Sequence, residues 1–420
     1  MTILPLKTET FDGILLNCRK YAKDFIIQRL EYYDRDIYRW VMDDPKRRFK
    51  LIRIDERTIL TSLGIIKFKR RYYFDDLTGK NVYLLDNQLK IPPHVRMSNE
   101  LIIKILDLAS LMTYKEVGKH LSNEFELSKF TIWKTIRDTS IEAIYDSIIN
   151  RGNLKVHVQI DEKYIGMVET TNKKRYYTAT IFAGREKINK SDYKLLNKTI
   201  LSASTLQKLK KRINFHLKNR YQIRFDEEIF VSGDMALYIQ NFKDYVFCRA
   251  KYVPDKFHVF KAIKDNLPDL EIDDYSINDK DFQSYLIKNL DQENPNSRKI
   301  IRLLVESPKV FETYLDEEYL GCSQEGQNSH VYAPRFGKYA NRFSKATIEK
   351  LALIREATAL DINIKIGIMN REEPEIIDIG YCTIDLEEPL KMYLDTREMK
   401  YETRKLFENI RYGRWYNVDT

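Results

Sequence analysis

Cysteine is scarce in this chain. Cys18, Cys248, Cys322 and Cys382 are its four, widely separated and without a CxxC pair. That spacing excludes a disulfide framework and a thiolate zinc knuckle. The six histidines are equally scattered. No run approaches the roughly 18 apolar residues of a membrane span. The opening MTILPLKTETFDG lacks the basic-then-apolar order of a secretory signal. Internal repeats and low-complexity tracts are also missing. These absences lead to the expectation of a cytoplasmic protein with no membrane partner.

What is present is apolar and charged material in quantity. At 420 residues the chain exceeds the ~250–300 at which single cores usually split, so several units are expected. Apolar residues at 43% beside 32% charged exclude a wholly disordered chain. The 71 Lys and Arg outnumber the 62 Asp and Glu by a net +9, an excess whose placement matters more than its sum. The 28 tyrosines and 20 phenylalanines suit strands or stacking surfaces.

Pattern divides the chain into five parts. Residues 1–55 form a helical region, with apolar residues from Ile14 to Tyr33 at three- and four-residue intervals. Residues 56–98 read as a small antiparallel β unit: Thr58–Thr61, Ile65–Phe74 and Val82–Leu85, joined by turns at Gly64 and Asp76–Gly79. One strand carries Lys67, Lys69, Arg70 and Arg71, either a solvated ribbon face or a contact for DNA phosphates. Residues 99–150 read as a helix-turn-helix-like DNA-binding domain, helical over 99–147. Thr113 stands three before Glu116 in capping-box spacing, and Ser128 precedes a helix bearing Lys129, Thr131, Lys134 and Arg137 off its apolar stripe. Two short helices of this kind fit a helix-turn-helix, and also fit plain packing.

Residues 151–361 alternate strand and helix, as in a mixed sheet with helices packed against it. Residues 268–318 break the rhythm with helices and look like an insertion. Residues 362–420 form a C-terminal extension with strand-like runs at 362–369 and 376–384 and a helix near 396–412. Within the α/β part, Asp161 and Asp234 each follow an apolar strand, where such sheets place their ligands. Each could equally begin a loop or cap a helix. Glu325 lies in the small, polar segment from Gly321 to His330, which suits close approach to a ligand, and His258 opens a helix.

Taken in order, Asp161, the Val231-Ser232-Gly233-Asp234 string, Asp255-Lys256-Phe257-His258, and Glu325 with Ser329-His330 resemble bacterial Mutator-like DDE transposases. The likeness is to the branch of the Lre-type insertion sequences, long catalogued as an uncharacterised protein family. Arg57 to Thr61, Lys67 to Arg71 and Tyr83 to Asp86 extend it over nearly the whole chain. The family usually has glycine after the second acid and a tryptophan shortly beyond, where this chain has Met235 and Tyr238.

The resemblance implies an RNase H-like catalytic core with its helical insertion at about 268–318. It further implies that Asp161, Asp234 and Glu325 hold two Mg2+ ions, with Mn2+ as a substitute, and that His258 supports them. The chemistry would be cleavage and strand transfer at insertion-sequence ends, one metal activating the nucleophile and the other stabilising the leaving 3′-oxygen. Lys256 and Arg335 would join the basic residues above in holding double-stranded DNA. A homodimer or larger synaptic assembly would bring two ends together. A nuclease of the same fold without strand transfer, and a DNA-binding protein that has lost catalysis, are the competing expectations.

Overall fold

A computed structural model describes residues 11–121, 124–145, 148–170, 172–189, 193–337, 342–368 and 377. The chain opens with the long helix α1 (Phe11–Asp43). Strands β1 (Phe49–Thr61), β2 (Gly64–Asp75) and β3 (Lys80–Val82) follow as a three-stranded sheet in that order, and α2 (Leu84–Gln88) takes over where a strand through Leu85 was expected. Next come α3 (Asn99–Ala109), α4 (Tyr114–His120), α5 (Lys129–Asp138) and β4 (Thr139–Ile144).

The central sheet is built from β5 (His157–Gly166), β6 (Lys173–Phe182), β9 (Thr199–Ala203), β10 (Glu228–Gly233) and β11 (Arg249–Pro254), in the order β11-β10-β5-β6-β9. The pairs β5–β6 and β6–β9 are antiparallel, whereas β10 runs parallel to both β5 and β11. A small hairpin of β7 (Arg185–Lys187) and β8 (Tyr193–Leu195) interrupts it. Helix α6 (Leu206–Asn219) precedes β10, α7 (Leu237–Gln240) follows it, and α8 (Lys256–Asn266) follows β11. The 268–318 segment is helical as expected, carrying α9 (Lys280–Asn289), α10 (Pro295–Glu306) and a 3-10 stretch, Pro308–Leu315. Then α11 (Gln324–Gln327), a π-helical turn (Asn328–Tyr332), α12 (Ala333–Phe336), α13 (Lys345–Leu360) and β12 (Asn363–Ile368) complete the described chain. The expected strand at 376–384 and helix near 396–412 lie outside the described residues, Ile377 excepted.

The chain divides into two units. The smaller takes in residues 24–57 and 67–94, and the larger takes in 58–66 and the chain from 95 through β12. In the larger unit Val158 and Ile160 of β5, Ile181 of β6 and Val231 of β10 are fully buried with Leu209, Ile213 and Leu217 of α6. Each such side chain contributes ~1.5–3 kcal/mol relative to exposure. The inserted helices join this core through Leu286, Ile300 and Phe311. No helix among the described residues is long and apolar enough to cross a membrane.

In the smaller unit the period-two alternation of β2 splits the basic run. Lys67 and Lys69 are exposed while Arg70 is buried. Arg70 pairs with Asp86, which also meets Arg57 at 3.2 Å, and its guanidinium lies 3.5 Å over the Tyr83 ring. Arg71 pairs with Asp34 and lies 4.6 Å over Tyr38. The four residues therefore do not form one phosphate-binding face: two are committed to internal carboxylates.

Candidate functional site

Sheet register decides which acids meet. Gly233, the last residue of β10, pairs with Ile160 of β5, so Asp234 and Asp161 follow at the same level. A Cβ on Gly233 would fall 2.3 Å from the Ile160 carbonyl oxygen, so only glycine lets the two strands approach here. Asp161 does not end its strand, however. β5 runs on to Gly166 because β6 continues to pair with it, Asp161 lying opposite Thr178.

Asp161 is held by protein donors at both carboxylate oxygens. Oδ1 accepts from the Glu162 backbone N–H at 2.7 Å and Oδ2 from Asn328 Nδ2 at 2.6 Å. Burial raises its pKa above the ordinary value; the two hydrogen bonds hold it back and the neighbouring Asp234 charge adds to the rise. Asp234 Oδ1 accepts from the Ala236 N–H at 2.9 Å. Tyr238, packed edge-on against Tyr177 at 5.6 Å, has its hydroxyl pushed up by burial and then by Glu162 and the two aspartates.

The segment carrying Glu325 is gripped by β5. Gln159 Nε2 donates to the Gly321 carbonyl at 2.7 Å, and its Oε1 accepts from the Ser323 N–H at 3.0 Å. Gln159 and Asp161 stand two apart on one strand face, so they hold this segment at Gly321 and Ser323 and again at Asn328. Asn328 opens the π-helical turn, a local geometry frequent at functional sites. Sequence reasoning assigned no role to Gln159 or Asn328. The spacing of Gln159 to Asp161 was the available signal. Glu325 itself is solvent-exposed on the four-residue α11.

Among the described residues, no three His, Cys, Asp or Glu side chains form a group that could hold a metal ion. The expected centre of Asp161, Asp234 and Glu325 with two Mg2+ or Mn2+ ions is corrected by this finding. With it fall the DDE-type enzyme, the cleavage and strand transfer, and the related nuclease. The hydrogen bonds supply the physical reason: both Asp161 oxygens and one of Asp234 serve protein N–H donors, and Glu325 faces solvent. The residues present do not fit a magnesium pair.

The expected companions have other partners. His258 Nε2 lies 3.7 Å from Asp255 Oδ2. Asp255 caps α8 by accepting from the Phe257 N–H at 3.0 Å, and burial raises its pKa. Lys256 donates to Asp274 at 2.6 Å. Arg335 is 2% exposed, donates through Nε to the Ala109 carbonyl at 2.7 Å, and lies 4.7 Å over Phe343. It fastens α12 to α3 and does not reach the surface as a phosphate contact.

A second group of residues comes together on α3, α4 and α5. Ile105, Val117, Ile132 and Ile136 are fully buried where the three helices pack. The caps are those the sequence indicates: Thr113 and Glu116 form a reciprocal capping box, and the Ser128 hydroxyl accepts from the Thr131 N–H at 3.1 Å. At Gly118 an added Cβ would lie 2.1 Å from the Leu127 carbonyl oxygen. The Leu127 backbone thus lies directly on α4.

On the outer side, Lys129, Phe130 and Lys134 of α5 are exposed with Lys115 and Lys119 of α4, while Thr131 and Arg137 are half-buried. Arg137 pairs with Asp138 at 2.6 Å and stacks 4.8 Å from the Trp133 ring. Helix α13 supports α5 from behind: Trp133 Nε1 donates to Ser344 Oγ at 3.3 Å and Lys350 Nζ to the Ile136 carbonyl at 3.1 Å. The helical reading to 147 fails after Asp138. There β4 begins, paired antiparallel with β12 from Thr139↔Ile368 to Ile144↔Asn363.

A sequence model of the uncharacterised protein family UPF0236 matches residues 6–372. UPF0236 protein TTE2489 of Caldanaerobacter subterraneus subsp. tengcongensis is 24% identical over 349 residues, covering 78% of this chain and 74% of the relative. From the same organism, UPF0236 protein TTE0610/TTE0881/TTE1053/TTE2432 is 24% identical over 347 residues, 78% of this chain and 73% of the relative.

Proposed function

The chain belongs to the uncharacterised protein family UPF0236, and we propose that it is a double-stranded-DNA-binding protein that presents α5 to the duplex. The observation that carries this reading is the outer face of α5, where Lys129 and Lys134 are exposed on a helix whose inner face is fixed by its neighbours. A helix of about 10–12 Å diameter fits the B-DNA major groove, about 12 Å wide. Thr131 would lie at base edges beside the two lysines. Lys115 and Lys119 of α4 would meet backbone phosphates and set the register.

The sheet order β11-β10-β5-β6-β9 and the helical insertion after α8 support reading the larger unit as RNase H-like. The likeness to Mutator-like proteins is then one of fold and DNA handling, without the three-acid metal chemistry. Such a protein works in the cytoplasm, where bacterial DNA lies.

Fluorescence anisotropy with labelled duplex, from about 50 to 200 mM salt, tests the proposal. Wild type should bind with a steep salt dependence. K129E/K134E should bind at least tenfold more weakly, with a shallower slope because fewer phosphates are neutralised. Equal binding by wild type and variant would remove α5 from the interface, and no duplex binding by wild type would end the reading.

A further inference from the structure

We infer that the outer face of α6, together with the 245–247 segment beside it, binds single-stranded nucleic acid by stacking unpaired bases on exposed aromatic rings. The inference concerns a surface separate from α5 and stands or falls independently of it. Helix α6 is two-sided. Leu209, Ile213 and Leu217 are buried in the core with the sheet, while Lys210, Lys211, Asn214, Phe215 and Lys218 recur at three- and four-residue spacing along the other side. Tyr245 and Phe247 complete a groove of about 660 Å3 with them, and no acidic side chain lines it.

Three large rings stand open here: Phe215 is 60% exposed, Tyr245 54% and Phe247 40%. Clustered apolar surface of this kind marks an interaction site. The groove is also organised in advance. Asn214 Nδ2 donates to the Tyr245 carbonyl at 3.0 Å, and its Oδ1 accepts from the Phe247 N–H at 3.3 Å. One side chain therefore clamps the segment bearing two rings to the helix bearing the third. Lys210 Nζ lies 2.9 Å from the Tyr245 ring centroid. Lys211 and Lys218 are exposed.

This chemistry selects its occupant. Cations along one side of a helix, Lys210 and Lys218 being about 12 Å apart by helical rise, follow a phosphate backbone. Aromatic faces take up bases whatever their sequence. A duplex keeps its base faces stacked on one another and cannot cover the rings. An acidic polymer without bases would neutralise the lysines and leave the rings in water.

The test uses the full-length chain with oligothymidylate and oligouridylate carrying one 2-aminopurine, whose fluorescence is quenched on stacking. Quenching and salt-dependent anisotropy are expected, and the DNA and RNA arms show which backbone is preferred. F215S/F247S should lose about tenfold in affinity and most of the quenching, while leaving duplex binding unchanged. K211E/K218E should weaken the single-strand complex, and K129E/K134E should not. Circular dichroism verifies the fold of each variant. The inference is overturned if F215S/F247S binds and quenches like wild type, if heparin binds as tightly as the oligonucleotides, or if neither oligonucleotide binds.

Discussion

His157 lies between two rings, Phe182 at 4.9 Å and Phe230 at 5.0 Å, with Nε2 3.1 Å from the Glu318 carbonyl oxygen. Burial lowers its pKa to about 4. Burial, helped by Arg212 and Arg220, lowers that of His216 to about 3. Both titrate near 6.5 when unfolded. Between the folded and unfolded values only the unfolded chain binds the protons, so stability rises with pH there. The contribution is complete above pH ~6.5 and is lost as pH falls toward 4 and then 3. For His157 it amounts to ~3 kcal/mol. H157F keeps a ring in the stack and removes the titrating group. Its melting temperature should start lower at pH 7, for loss of a hydrogen bond of ~1 kcal/mol, and fall less than wild type on acidification to pH 4. Parallel pH profiles from scanning calorimetry would refute this assignment. Glu356, fully buried, accepts from Arg212 Nη2 and the Tyr332 hydroxyl, each at 3.0 Å, and from Ser202. E356A removes the acceptor these three donors share, leaving Arg212 the Ser202 carbonyl and Ser202 the Tyr176 hydroxyl, and should cost ~3–5 kcal/mol. E356Q, retaining an acceptor, should cost less. Denaturant midpoints with unchanged slopes would give both values.

Among the elements, α4 and α5 show what local sequence can reveal. Their starts were legible because a cap is made within three residues, as at Thr113 and Ser128. Strand β4 was not legible, because what makes Thr139–Ile144 extended is pairing with β12, more than two hundred residues later. The run of β5 past Asp161 has the same origin in β6. Arg70 was misleading for a related reason: alternation turns it inward, but Asp86, which neutralises it, comes from another element. Gly118 offered no signal until the path of Leu127 was known. G118A should destabilise the helical unit by ~1–3 kcal/mol through overpacking and weaken duplex binding in proportion. A melting temperature within a degree of wild type would show that the Leu127 backbone yields without cost.

For the molecule as a whole, the mixed α/β character and the helical segment at 268–318 were readable from alternation and its interruption. That Asp161 and Asp234 each follow an apolar run was readable too, but the pairing of Gly233 with Ile160 that brings them to one level was not. Nor was what Asp161 does, because Asn328, which satisfies it, comes from 167 residues later, whereas Asp234 makes a local bond to the Ala236 N–H two residues on. The same distance between sequence and contact governs how the larger unit is completed. Helix α13 brings Glu356 to Ser202, 154 residues earlier, and Lys350 to the end of α5, 213 residues earlier. At about 5–20 residues per second on the ribosome, these partners arrive on the order of ten seconds or more after the segments they complete. For that interval β4 is an unpaired edge and α5 lacks its backing, so both are completed only after the last third of the described chain has emerged.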